Sequence, residues 1–185
     1  MTQPGGRLSV PGETKCFAPL FQIGKIDTLH GGMTMAEVTH DQVKLMLQLY
    51  ETRREPRLRE ARDWYFMNFH PATLDDVSRI CPPGSKENAS MRMVISYWDM
   101  VANIVNRGLI DEEFFFESSG EQWYVWQCLK PIVEALRSRS KNPHQWAQLE
   151  EHARRFEAWR ERRAPGSVEA SRAQIAAMLQ QTRKA

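Results

Sequence analysis

The sequence is poor in the residues and patterns from which reaction centres are built. Its three cysteines, Cys16, Cys81 and Cys128, are widely spaced and form no C-x-x-C pair, so neither a zinc site nor a disulfide framework is indicated. There is no G-x-S-x-G element and no glycine-rich loop followed by a lysine and a helix, which excludes the familiar nucleophile elbow and phosphate-binding loop. The sequence therefore predicts no catalytic residue, no metal and no cofactor.

Long apolar runs and an excess of charge are also missing. No stretch offers about 18 consecutive apolar residues, and no basic start is followed by an apolar stretch, so we expect neither a transmembrane span nor a signal peptide. The 25 basic and 23 acidic residues leave a formal net charge of +2, too small to indicate a DNA or membrane partner by composition. Reduced, unpaired thiols favour a reducing compartment, so we expect a cytoplasmic protein.

Apolar residues, by contrast, are plentiful and recur at helical spacing. The chain has 185 residues, 42% of them hydrophobic, with six tryptophans and eight phenylalanines, which is enough apolar mass for one folded domain. Signals for helix starts occur at Thr39 with Gln42, at Pro56, at Thr73 and at Ser85. The first predicted helix then carries one apolar stripe formed by Val43, Met46, Leu47 and Tyr50.

The most regular stripe lies in the middle of the chain and indicates the central helix of a bundle. It consists of Val94, Tyr97, Trp98, Val101, Ile104 and Val105. Gly108 is placed to end this helix in the left-handed conformation. Ser118 and Glu121 have the spacing of a capping box, and Pro131 is expected to kink or divide the helix that follows. Asn142-Pro143 predicts the restart of a helix.

Together these signals predict an all-α protein, a compact bundle of about six helices over residues 34–163. An irregular N-terminal segment, residues 1–33, precedes the bundle and is rich in glycine and proline. A loosely attached helix or tail, residues 164–185, follows it. The expected core contains Met46, Leu47, Tyr50, Trp64, Val94, Trp98, Val101, Val105, Trp126, Leu129, Leu149 and Phe156.

Histidines offer the only hint of metal or nucleophile chemistry. Glu37 and His40 have E-x-x-H spacing, but helical di-iron sites need two such pairs and two further carboxylates, and no second pair exists. His144 and His152 lie on one predicted helix without an acid or cysteine to complete a ligand set. We interpret these histidines as structural. A Cys–His nucleophile would require spatial adjacency that a sequence cannot show.

A run of arginines around the start of the second predicted helix forms a candidate basic face. It contains Arg53, Arg54, Arg57, Arg59 and Arg62, interleaved with Glu51, Glu55 and Glu60. Five arginines against three glutamates leave little net charge, whereas nucleic-acid binders usually cluster basic charge without such neutralisation. A solvated helix face is the favoured interpretation, and phosphate contact is the alternative.

Aromatic residues interleaved with acids form a candidate interaction patch. The acids between residues 109 and 128 are Asp111, Glu112, Glu113, Glu117 and Glu121, and the aromatic members of the patch are Phe114, Phe115, Phe116, Trp123 and Tyr124. Neighbouring helical residues differ in direction by about 100°, so three consecutive phenylalanines cannot face one way. Either this turn is buried nearly all round, which we favour, or it presents aromatic anchors to a protein partner.

The middle of the chain also resembles a known family. The resemblance rests on Tyr50-Glu51-x-Arg53, Cys81-Pro82-Pro83, Arg92-Met93, Tyr97-Trp98-Asp99-Met100-Val101, Gly108-Leu109-Ile110-Asp111-Glu112-Glu113, Trp126 and Leu129-Lys130-Pro131. In this order they resemble a bacterial family known only as a domain of unknown function, over roughly residues 43–160. The resemblance implies a small helical bundle and carries over no catalytic residue.

These observations favour a non-enzymatic interaction or regulatory module with an unidentified protein partner. The alternative is a nucleic-acid-binding protein that uses the helix from Arg53 to Arg62. An enzyme with an unrecognised site would require a pocket with convergent polar groups and perturbed pKa values. Oligomeric state stays open, since no apolar repeat lasts long enough to predict a coiled coil.

Overall fold

The fold is all-α, as predicted. A computed structural model describes residues 37–182, with side chains to residue 178, and every regular element in that range is a helix. The predicted irregular segment, residues 1–33, lies outside the described residues. The helices are α1 (His40–Arg54), α2 (Pro56–Asn68), α3 (Leu74–Ile80), α4 (Lys86–Asn106), α5 (Glu112–Ser118), α6 (Glu121–Leu129), α7 (Val133–Ser140), α8 (Ala147–Arg163) and α9 (Ser167–Thr182).

Local capping chemistry places the first four helix starts where the sequence predicts them. Thr39 and Gln42 form a reciprocal capping box at the start of α1, in which each side chain bonds the other's backbone N–H. Thr73 and Ser85 accept hydrogen bonds from the first turns of α3 and α4. Pro56 is the first residue of α2, where its missing N–H leaves no hydrogen bond unmade.

Helix α4 is the centre of the bundle. It packs against α2 on one side and against α8 on another, with α6 also in contact. Val94, Trp98, Val101 and Val105 of the predicted stripe are all buried. Their burial confirms the interpretation of this helix as the central element.

The expected inward face of α1 is wrong for Leu47 and Tyr50, whereas Met46 packs against the core as expected. Leu47 is 56% exposed and Tyr50 45% exposed, whereas Leu49 is buried and Leu45 is partly buried against the core. Helix α1 carries two apolar rows, and it docks on α2 through the row that contains Leu49. The Tyr97 hydroxyl on α4 holds this orientation by donating to the Leu49 carbonyl oxygen at 2.7 Å.

The bundle contains more helices than the six expected because several stretches divide into short ones. Pro131 lies in a break between α6 and α7, as predicted. The capping box expected from Ser118 and Glu121 is absent: Gly120 is the N-cap of α6 and makes no side-chain cap. Glu121 turns into the bundle instead. The helix expected at Asn142-Pro143 begins later, at Ala147.

The C-terminal helix α9 packs along α8 at the edge of the bundle. Val168 is buried, and Arg172 bonds Glu157 of α8 at 2.7 Å. The predicted tail is therefore a peripheral helix with few buried residues. Among residues 37–182, none of the helices combines the length and the apolar character that a bilayer span needs.

Candidate ligand-binding cleft

Most of the predicted aromatic patch lies inside the bundle. Phe115, Phe116, Trp123 and Tyr124 are buried, and Phe114 is partly buried against the core. The rings of Phe115 and Phe116 lie edge-on to the His152 ring of α8, with centroids 5.4 and 5.1 Å away. Phe115, Phe116 and Trp123 therefore join α5 and α6 to α8, while Tyr124 packs against Phe66 of α2. The patch does not form an accessible surface.

Three of the five acids around this patch form ion pairs with arginines of α8. Glu112 pairs with Arg155. Glu113 and Glu117 both accept from Arg163, at 2.9 and 2.8 Å. The acidic rim therefore fastens α5 to α8 through ion pairs.

Two members of the predicted basic face, Arg53 and Arg62, point into the bundle, where both bind Glu121. Arg62 donates through Nε and Nη2 to the two carboxylate oxygens at 2.5 Å each, and Arg53 donates at 3.4 Å. The indole N–H of Trp98 also donates to this carboxylate, at 3.1 Å. Burial lowers the pKa of Arg62, but the bonds and charge of Glu121 outweigh it and raise that pKa overall. Arg54 stays on the exposed surface with Arg57 and Arg59.

A cysteine and a histidine meet in the folded chain, although the sequence keeps them far apart. Cys128 Sγ lies 3.6 Å from His70 Nδ1, and His70 Nε2 lies 3.0 Å from the carbonyl oxygen of Phe66. Because Nε2–H donates to that carbonyl, Nδ1 accepts from the thiol, which keeps its proton. Burial raises the pKa of Cys128 to about 12. At neutral pH the Cys128 thiol of this pair is therefore protonated and has no thiolate character.

The remaining titratable groups of the core are also unsuited to acid–base chemistry near neutral pH. His152 is fully buried, and burial, with a smaller effect of Arg155, lowers its pKa to about 3. Burial raises the pKa of Cys81 to about 11. No group of three or more potential ligands that could hold a metal ion occurs between residues 37 and 182.

A cleft of about 390 Å³ opens beside α4. Its walls come from α3 with the turn that follows it, from α4, and from α7 with the connection to α8. Its apolar lining residues are Val77, Cys81, Pro83, Met91, Ile95, Leu136 and Trp146. A shallower depression, lined by Ala89, Arg92, Met93 and Ser96, shares Arg92 and Ser96 with the cleft and lies beside it across α4.

One residue of the cleft lining, Trp146, has unusual backbone geometry. Trp146 precedes α8 with a φ of 57°, a left-handed conformation that is costly for a large side chain. Helix α8 has no side-chain cap of its own at this end. Asp99 of α4 supplies one, because its Oδ1 accepts from the Leu149 N–H at 3.0 Å. Burial raises the pKa of Asp99, and this hydrogen bond partly offsets that rise.

The charged residues that line the cleft are all basic. Arg92 on α4 and Arg139 on α7 both line it and are exposed, and neither forms an ion pair with a residue that the structure describes. None of the lining residues is acidic. An apolar floor with two unpaired guanidinium groups is suited to binding a group that is both apolar and anionic. None of the residues that line the cleft belongs to the candidate interaction patch predicted between residues 109 and 128.

A comparison with protein families identifies the chain at the level of a family. A family described as Domain of unknown function (DUF4760) matches residues 38–156, which is well over half of the chain. The chain belongs to the DUF4760 family. The match extends from just before α1 into α8 and includes every residue that lines the cleft. It confirms the expected resemblance to an uncharacterised domain family. No curated protein and no solved structure matches the chain.

Proposed function

We propose that this DUF4760 chain is a non-enzymatic binding module whose cleft between α3, α4 and α7 takes an acidic, apolar segment of a protein partner. The observation that carries the proposal is the pairing of Arg92 and Arg139 with an apolar floor, without an acid in the lining. Guanidinium groups bind carboxylates with paired hydrogen bonds. Arginine, tryptophan and methionine are also enriched at the buried centres of protein interfaces.

The shape of the site favours a chain segment over a small metabolite. The cleft is continued across α4 by the depression over Ala89 and Met93. A peptide can place an apolar side chain on the floor while its acids reach the two arginines and its backbone crosses α4. The exposed side chain of Met93 gives such a segment additional apolar contact.

The chemistry of the nearby groups supports binding without reaction. General acid–base catalysis works best when the pKa of the catalytic group is near the working pH. The pKa of Cys81, the thiol in the cleft lining, is about 11, so it stays protonated. Asp99 is engaged as the cap of α8. No observation favours nucleic-acid binding, because Arg53 and Arg62 are engaged with Glu121.

The test is a selection from a random peptide library on the purified full chain. We expect selected peptides to combine Asp or Glu with an aromatic or aliphatic residue, and their affinity to fall as salt rises. Replacing both arginines, Arg92→Glu with Arg139→Glu, is expected to weaken binding by at least about tenfold, because each ion pair becomes a repulsion.

The control makes the same change of charge on another exposed helix face. Arg57→Glu with Arg59→Glu on α2 is expected to leave peptide affinity unchanged, since neither residue lines the cleft or the depression beside it. Circular dichroism checks that both double variants keep the helical fold. Peptides without acids, or equal affinity for the two double variants, would refute the proposal.

A further inference from the structure

Helix α1 carries an apolar stripe that is largely exposed in the described bundle, although the guanidinium groups of Arg53 and Arg54 lie over the Tyr50 ring. Val43, Leu47 and Tyr50 lie four and three residues apart, which places them on one face of the helix. They are 37%, 56% and 45% exposed. The opposite row, with Leu49, already holds α1 on the bundle, so this stripe is not needed for docking the helix.

One flank of the stripe carries two exposed residues of opposite charge. Lys44 and Glu51 are seven residues apart, so they lie on the same flank of α1, and both are exposed. The other flank contains Met46 and Arg53. Met46 packs against the core and Arg53 binds Glu121. The flank with Lys44 and Glu51 is exposed. Lys44 pairs there with Asp41 of the same helix at 3.5 Å, and so exposed a pair is weak enough to be exchanged for a new contact.

We propose that α1 pairs antiparallel with α1 of a second copy of this chain, about a two-fold axis that passes between Leu47 and Gln48. Lys44 and Glu51 lie at equal distances on either side of that axis. In an antiparallel pair the same flanks of the two helices face each other, so Lys44 of each copy meets Glu51 of the other. Symmetry makes this ion pair twice.

The alternative arrangement of two α1 helices is less favourable. A parallel pair sets the exposed flank of one helix against the opposite flank of its neighbour. There Lys44 and Glu51 would meet the side that holds Met46 and Arg53, which is already committed to the bundle. Charge complementarity therefore selects a second copy in the antiparallel orientation.

The size of the stripe sets the strength to expect. A helix of 15 residues is roughly 22 Å long, and its stripe offers less area than the roughly 800 Å² per partner of a standard interface. The dimer should therefore be weak and visible as a rise in sedimentation coefficient with concentration. Because α1 does not line the cleft, this inference stands or falls independently of the proposed function.

The first test compares two exposed leucines by sedimentation velocity on the full chain. Leu47→Glu is expected to weaken self-association at least tenfold. Leu109→Glu is the matched control, since Leu109 is also 56% exposed but lies beyond the end of α4, and it should self-associate like the wild type. A wild-type chain that stays monomeric at all concentrations tested would overturn the inference, as would equal effects of the two substitutions.

The second test is a charge exchange that separates the antiparallel pair from any other contact through α1. Lys44→Glu alone and Glu51→Lys alone should each weaken the dimer, because each places like charges opposite one another. The double variant Lys44→Glu with Glu51→Lys should restore it. A double variant as weak as the singles would overturn the antiparallel arrangement.

Discussion

Lowering the pH toward the range of histidine titration should destabilise this protein through one residue, His152. Its ring is fully buried between Phe115 and Phe116, and neither ring nitrogen has a hydrogen-bond partner among the described residues. Protonation would place an unpaired charge in this apolar site. Arg155 on the same helix adds repulsion to the cost of burial. The folded state therefore holds His152 in its neutral form.

The magnitude follows from proton linkage. The pKa of His152 is lowered from 6.5 to about 3 in the folded chain. Between these values the unfolded chain binds a proton that the folded chain does not, so the free energy of unfolding falls as the pH falls. Each unit of pH below 6.5 removes about 1.4 kcal/mol. Between about pH 7 and about pH 5 the loss from this residue is about 2 kcal/mol.

Urea denaturation followed by circular dichroism across this pH range measures the effect. The control variant is His152→Leu, which removes the titrating group while keeping an apolar side chain of similar size. Over this pH range, the free energy of unfolding of the variant should change by about 2 kcal/mol less than that of the wild type, because the contribution of His152 is missing. At neutral pH it should equal or exceed that of the wild type, since an unpartnered buried imidazole is lost. Parallel pH profiles for the wild type and the variant would refute the reasoning.

Two further predictions concern the stability of particular contacts. Glu121→Gln should cost about 3 kcal/mol in urea denaturation, because Arg62 and Arg53 lose the carboxylate with which both form ion pairs. Glu169→Gln, at an 80% exposed side chain, should change stability by less than about 0.5 kcal/mol. Equal effects of the two substitutions would contradict this. Gly108 has a φ of 73°, and an added Cβ would meet no atom within 4 Å, so Gly108→Ala should destabilise by about 1 kcal/mol through backbone strain alone. Lys141 has a φ of 53°, so Lys141→Gly should relieve such strain and stabilise by about 1 kcal/mol. Thermal unfolding that showed the same sign for both backbone substitutions would contradict the second prediction.

Where the sequence analysis failed, the reason lies in contacts between distant parts of the chain. Ser118 and Glu121 have good capping-box spacing, yet Glu121 bonds Arg62 and Trp98 across the bundle. A carboxylate that can neutralise a partly buried arginine gains more there than at an exposed helix end. The pattern of residues near Glu121 contains no signal of Arg62, which lies on another helix.

The same reason explains why the cleft was not found from the sequence. Arg92 and Arg139 lie on α4 and α7, and neither belongs to a run of basic residues as conspicuous as the run from Arg53 to Arg62. Trp146 shows only an ordinary helical spacing with Leu149, while its left-handed backbone is visible only in the folded chain. The two arginine positions become a site because the bundle brings their helices together.

By itself the sequence determined the helical class, the central position of α4 and the caps at Thr39, Thr73 and Ser85, because helical periodicity and capping depend on residues within a few positions of each other. Tertiary structure alone decided which of two apolar rows of α1 faces inward, which arginines are paired and where a cleft opens. Those outcomes depend on the burial and charge of partners that are distant along the chain, and local spacing carries no information about them.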